Sequence, residues 1–75
     1  MDKKRIIIVE DETSIADNVV YALESEGFDT TWHSIGQTAV DELKQTNADL
    51  VILDVGLPDQ SGFEVCKSIR QFSEI

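Results

Sequence analysis

Two apolar runs that each end in acid constrain this chain more than any other feature of its 75 residues. Ile6-Ile7-Ile8-Val9 leads directly into Glu10-Asp11-Glu12, and Leu50-Val51-Ile52-Leu53 leads into Asp54. Neither run alternates polar with apolar residues. Unbroken aliphatic runs of this length belong to strands covered on both faces, which occur mainly in parallel sheets. Parallel strands share a carboxyl edge, so both sets of acids come to one side of the sheet. That is the outline of a metal and phosphoryl site.

The segments between the two runs fit the same scheme. Ile15, Val19, Ala22 and Leu23 fall on one helical face, Thr13 or Ser14 is placed to cap its start, and Gly27 stands where a C′ glycine belongs. Phe28 to Trp32 mixes strand formers with Asp29, Thr30 and Thr31, which suits an edge strand. A second helix is expected from about Ile35 to Gln45, with Ala39, Val40 and Leu43 inward. After Leu50–Leu53, a loop with Gly56, Pro58 and Gly62 leads to a third helix carrying Phe63, Cys66, Ile69 and Phe72. The order β-α-β-α-β-α with short connections predicts an open, doubly wound parallel α/β sheet with right-handed crossovers.

Strand order 2-1-3 puts the reversal of direction between the first and third strands, and ligands of such sheets bind at that reversal. Glu10, Asp11 and Asp54 meet there. Three close carboxylates cannot all stay ionised unless a cation neutralises them; otherwise some take up protons. Oxygen-only ligands with room for water select Mg²⁺ or Mn²⁺, and Gly56 can turn its backbone carbonyl toward the same ion. Asp54, ending the strand beside the crevice, is the natural nucleophile toward phosphorus.

The remaining residues receive milder readings. Glu12 is a solvated first-turn acid, His33 a surface residue, Trp32 partial core, Cys66 a small buried hydrophobe, and Gly62 a turn residue. Lys3-Lys4-Arg5 is a solvated lead-in to the first strand. A net charge of −9 repels phosphate backbones and excludes the segment itself as a nucleic-acid binder. The single cysteine fits a reducing compartment. The apolar run after Lys3-Lys4-Arg5 is too short for a signal peptide, and no stretch approaches a membrane span, so a cytoplasmic location is expected.

The acidic pair after the first strand, Asp54 at the end of the third, then Leu57-Pro58 and Gly62, resembles the CheY-like receiver domain of two-component response regulators, a flavodoxin-like fold. The stretch from Ser14-Ile15-Ala16-Asp17 through Glu26-Gly27-Phe28, with Asp54-Val55-Gly56-Leu57-Pro58-Asp59 and Ser61-Gly62-Phe63-Glu64-Val65-Cys66, resembles the OmpR/PhoB type. The resemblance implies that Asp54 is the phosphoacceptor, that Asp11 binds Mg²⁺ directly and Glu10 through water, and that the Gly56 carbonyl is a further ligand. It also implies a sensor histidine kinase as partner, a homodimer through receiver surfaces, and DNA contact through a C-terminal winged-helix domain. The family pattern continues with a Ser or Thr ending a fourth strand and a Lys ending a fifth, and neither position falls within residues 1–75. The chain is therefore read as the first three βα units of a larger domain, cut short or completed by another chain, with the third strand left as a bare apolar edge.

Two other classes compete. One is an interaction module that dimerises through its sheet edge without phosphoryl chemistry. A small-substrate phosphotransferase of the haloacid-dehalogenase type is disfavoured, because it wants a second Asp where Gly56 stands. A dinucleotide site is disfavoured because no Gly-rich turn follows the first strand.

Overall fold

The computed structural model describes residues 3–75. Its elements are β1 (Arg5–Val9), α1 (Thr13–Ser25), β2 (Asp29–His33), α2 (Gly36–Gln45), β3 (Leu50–Leu53) and α3 (Gly62–Arg70). The three strands form a parallel sheet in the order β2-β1-β3. Ile8 lies opposite Trp32 on one side and Ile52 on the other. The expected α/β architecture and strand order are present. No helix among the described residues is long and apolar enough to cross a membrane.

The sheet has one well-covered face. Ile7 and Val9 point into a core with Ala39, Val40 and Leu43 of α2, Leu57 of the β3–α3 loop, and Val65 and Ile69 of α3; Val51 and Leu53 pack against it. Alternation sends Ile6 and Ile8 to the opposite face, where they are also buried. There α1 lies across β1 and β2. It does not cover β3, so Leu50 and Ile52 stay 51% and 37% exposed. This corrects the expectation that the third strand is covered on both sides.

The helix faces differ in detail from the sequence reading. In α1 the buried side is Ala16 with Val19, Val20 and Leu23 behind it, while Ile15 and Ala22 are exposed. The spacing i, i+3, i+4, i+7 is satisfied either way, and small Ala16 allows the helix to approach the sheet. The helix also begins at Thr13 with Glu12 in the N-cap position and no side-chain cap, so neither Thr13 nor Ser14 acts as the cap. Its other end is as expected. Gly27 adopts φ +90°, its N–H donates to the Glu24 carbonyl and the Phe28 N–H to the Leu23 carbonyl, the paired bonds of a Schellman closure. Because Phe28 spends its N–H there, β2 starts one residue later than expected, at Asp29.

The phase of α3 is set by Ser61, whose hydroxyl accepts from the Glu64 N–H at 3.2 Å. That start turns Gly62, Val65 and Ile69 inward and leaves Phe63 and Cys66 exposed. Cys66 is therefore not a buried hydrophobe. Gly62 does more than turn the chain: a Cβ there would lie 2.3 Å from the Asp54 carbonyl oxygen, so only glycine allows this close approach. Arg5 is likewise more than a solvated lead-in. Its Nη1 donates to Thr46 Oγ1 and to the Asn47 carbonyl, and its Nη2 to Glu42, tying β1 to the carboxyl end of α2.

Candidate metal and phosphoryl site

The sheet ladder runs one residue past the strands at their carboxyl edge. The Glu10 N–H donates to the His33 carbonyl at 3.0 Å and the Asp54 N–H to the Val9 carbonyl at 2.9 Å. The backbone of both acids is thus fixed by the sheet before their side chains enter the crevice between β1 and β3. One carboxylate oxygen from each of Glu10, Asp11 and Asp54 lies within 4.8 Å of the other two. Asp11 is exposed and the other two are half-buried.

Electrostatics make the cluster tense. The Glu12 N–H donates to Glu10 Oε2 at 3.1 Å and favours the charged form. Slight desolvation, together with the hydrogen-bonding and charge of Asp54 and the nearby Asp11, outweighs that bond and raises the Glu10 pKa above its ordinary value. Unit charges about 4–5 Å apart repel by roughly 1 kcal/mol in water and by more where solvent is excluded. An all-oxygen donor set that is crowded, partly solvated and short of positive charge fits a hard divalent cation which retains some of its waters.

The loop after β3 is closed around Asp54. The Gly56 N–H donates to Asp54 Oδ1 at 3.2 Å, placing the Gly56 peptide beside that carboxylate. The Gly62 N–H donates to the Val55 carbonyl at 2.8 Å, and Gly56 bridges to Ser61. Leu57 anchors the loop in the core. Glu12 stays outside the cluster, exposed at the start of α1. A cleft of about 180 Å³ lies elsewhere, at the β3 edge beside Val51, Leu53, Cys66 and Ile69, and none of the clustered acids lines it.

Three residues near the site carry contacts that the sequence reading lacks. The Trp32 indole N–H donates to the Glu10 carbonyl at 2.7 Å, which makes this half-exposed ring a neighbour of the cluster. His33 is not a free surface residue: its side chain is 16% exposed, with Nε2 on Glu42 and Nδ1 on Thr38. Burial, then the charge of Arg5, lowers its pKa. Asp59 accepts from the Gly36 and Gln37 N–H groups, at 2.8 and 3.0 Å, and those two bonds hold its pKa down. No local motif announces either contact. The Ser61-x-x-Glu64 capping signal, by contrast, is local and stands in the sequence.

Comparison with known proteins places this geometry. Residues 6–75 match the response regulator receiver domain family. The chain is 43% identical over 70 residues to the sensory transduction protein RegX3 of Mycolicibacterium smegmatis, covering 93% of this chain and 31% of that protein. It is 44% identical over 69 residues to the transcriptional regulatory protein CreB of Escherichia coli, covering 92% of this chain and 30% of that one. The chain therefore spans about a third of the length of these curated relatives. Among solved structures, the response regulator TrrA of Thermotoga maritima, in complex with Mg²⁺ and BeF, superposes with a TM-score of 0.86 at 38% identity, covering 91% of this chain and 59% of that one. TrrA in complex with the histidine kinase ThkA superposes with a TM-score of 0.88 at 37% identity, covering 93% and 60%. An acid cluster at the carboxyl edge of a 2-1-3 parallel sheet and a match over nearly the whole chain lead to one conclusion: the chain belongs to the response regulator receiver domain family.

Proposed function

We propose that this chain is a phosphorylatable receiver: Asp54 accepts a phosphoryl group from a phosphohistidine of a sensor histidine kinase, in a Mg²⁺-dependent reaction, and so regulates an attached transcriptional effector. The observation that carries the reading is the convergence of Glu10, Asp11 and Asp54 within 4.8 Å at the sheet's carboxyl edge. Asp11 would hold the ion directly and Glu10 through water, with Asp54 and the Gly56 carbonyl as the remaining protein ligands. When bound, Mg²⁺ neutralises the carboxylates and the charge on the transferring oxygens. Gly56 N–H holds Asp54 Oδ1, so the second oxygen is the one presented for attack. An Asp54 oxygen bonds to phosphorus as the donor's P–N bond breaks, and the imidazole leaves with a proton, giving an acyl phosphate. The kinase and Mg²⁺–BeF complexes of TrrA support the partner and the ion. The names of RegX3 and CreB support a signalling and transcriptional output. In this reading residues 1–75 form the first three βα units of a cytoplasmic receiver, which pairs with a second copy and reaches DNA through an effector domain.

The test is incubation with acetyl phosphate and Mg²⁺. Intact mass should rise by one phosphoryl group in the wild type and not in Asp54→Asn. Asp11→Asn should weaken Mg²⁺ binding, read by Trp32 fluorescence, by about tenfold or more. A folded wild type that gains no mass in the presence of Mg²⁺ defeats the phosphoacceptor reading.

A second reading, an interaction module without phosphoryl transfer, is favoured by one observation, the exposed apolar side chains of Leu50 and Ile52 on the β3 edge. Sedimentation at several concentrations checks it. A monomer throughout removes self-association from consideration.

A further inference from the structure

Helix α2 begins without a cap of its own. Its N-cap residue is Ile35, whose side chain can accept nothing. The first two amides are taken instead by one carboxylate from another loop: Asp59 Oδ1 receives Gly36 N–H at 2.8 Å and Oδ2 receives Gln37 N–H at 3.0 Å. A two-point, charge-assisted grip at the positive end of a helix is the strongest form of such a cap. The helix it grips is itself fixed at its other end, where Arg5 of β1 donates to Thr46 Oγ1 and the Asn47 carbonyl. Asp59 also lies inside the loop that closes over Asp54. That loop is pinned at its base by Gly62 N–H on the Val55 carbonyl and at its middle by buried Leu57.

We propose that Asp59 is a positioning residue for the metal and phosphoryl site, latching the β3–α3 loop to the amino end of α2 and so holding the loop that carries Gly56 in place beside Asp54. The inference rests on the Mg²⁺ reading given above, and extends it to a residue outside the carboxylate cluster. Asp59 acts at a distance: α2 serves as a post anchored to the sheet, and the loop is set against that post. The same two amides hold the Asp59 pKa below its ordinary value, which favours the charged carboxylate that makes the latch.

The experiment compares wild type, Asp59→Ala, Asp59→Asn and Gln37→Pro. Proline removes one of the two donors while remaining tolerated in the first turn of a helix. Two readouts are used: Mg²⁺ affinity by Trp32 fluorescence, and amide hydrogen exchange at Gly36, Gln37 and Gly62 without added ion. Asp59→Ala should weaken Mg²⁺ binding about tenfold and speed Gly62 exchange by a similar factor. Asp59→Asn, which keeps one acceptor oxygen, should lie between and guards against a variant that does not fold. Gln37→Pro should give part of the loss, and adding it to Asp59→Ala should give no more. Faster exchange confined to Gly36 and Gln37, with Gly62 and Mg²⁺ affinity unchanged, overturns the proposal and leaves a helix cap only. A wild type that ignores Mg²⁺ defeats the metal reading, while Gly62 exchange still decides whether the latch sets the loop.

Discussion

At the scale of single residues, Gly62 shows how tightly Asp54, the phosphoacceptor in the proposed reading, is framed. A Cβ at this position would meet the Asp54 carbonyl oxygen at 2.3 Å and the Val55 Cα at 2.9 Å, and backbone atoms have little room to yield. Gly62→Ala should therefore lower the urea midpoint, with a stability loss of about 1–3 kcal/mol typical of overpacking, and should slow acetyl phosphate uptake at Asp54. An unchanged midpoint would mean that the loop gives way freely. The acids themselves were readable from the sequence, because Glu10, Asp11 and Asp54 each follow an apolar run and a parallel sheet has one carboxyl edge. Asp59 and the group of Arg5, Glu42 and His33 were not. Their partners lie 22 or 23 residues away for Asp59 and 37 for Arg5 and Glu42, and nothing local in the chain marks a contact made only after packing.

At the scale of elements, caps and phases decide which side chains reach the core. The hydroxyl of Ser61 sets α3 so that Val65 and Ile69 face inward. Ser61→Ala should cost about 1 kcal/mol, seen as a lower thermal midpoint, and Ser61→Asp should recover most of it, since an acid suits both the cap and the helix dipole. Full stability in the alanine variant would show that packing alone holds the helix. Strand identities were legible because β-branched runs are local signals. The burial faces of α1 and α3 were not, because two sets of residues satisfy the same spacing and the choice depends on what lies across the interface. For α1 that is a sheet of which it covers only two strands; for α3 it is the Asp54 carbonyl against Gly62.

At the scale of the whole molecule, proton uptake should be felt by the fold as acidity rises. Burial first and the charge of Arg5 second put the folded-state pKa of His33 below its unfolded value of 6.5, although its Nε2 also faces the Glu42 carboxylate, which opposes the shift. The unfolded chain then takes the proton first, so the stability that neutral His33 contributes is complete above that value and is lost as pH falls through the folded pKa. Asp59 adds a loss of the same sign at lower pH, below 3.8, because its folded pKa is also depressed. Glu10 works in the opposite direction: its raised pKa means that the folded state gains relative stability on protonation in the carboxylate range. Chemical denaturation between neutral pH and about pH 5.5 should show falling stability, and His33→Gln should flatten that slope. An unaltered slope would place the titration elsewhere.

The two ladder amides beyond the strands carry a wider consequence. Because Glu10 and Asp54 donate to His33 and Val9 as the last rungs of the sheet, parting the strands also scatters the acid cluster that we propose as a Mg²⁺ site. If the cluster holds Mg²⁺ as proposed, ion concentration and chain folding form a single linked equilibrium. Free Mg²⁺ at a hundred times its dissociation constant would add about 2.7 kcal/mol to the folded state, a large share of what a domain of this size commands, so the cell's magnesium level would itself govern how much of the protein is ready to receive a signal.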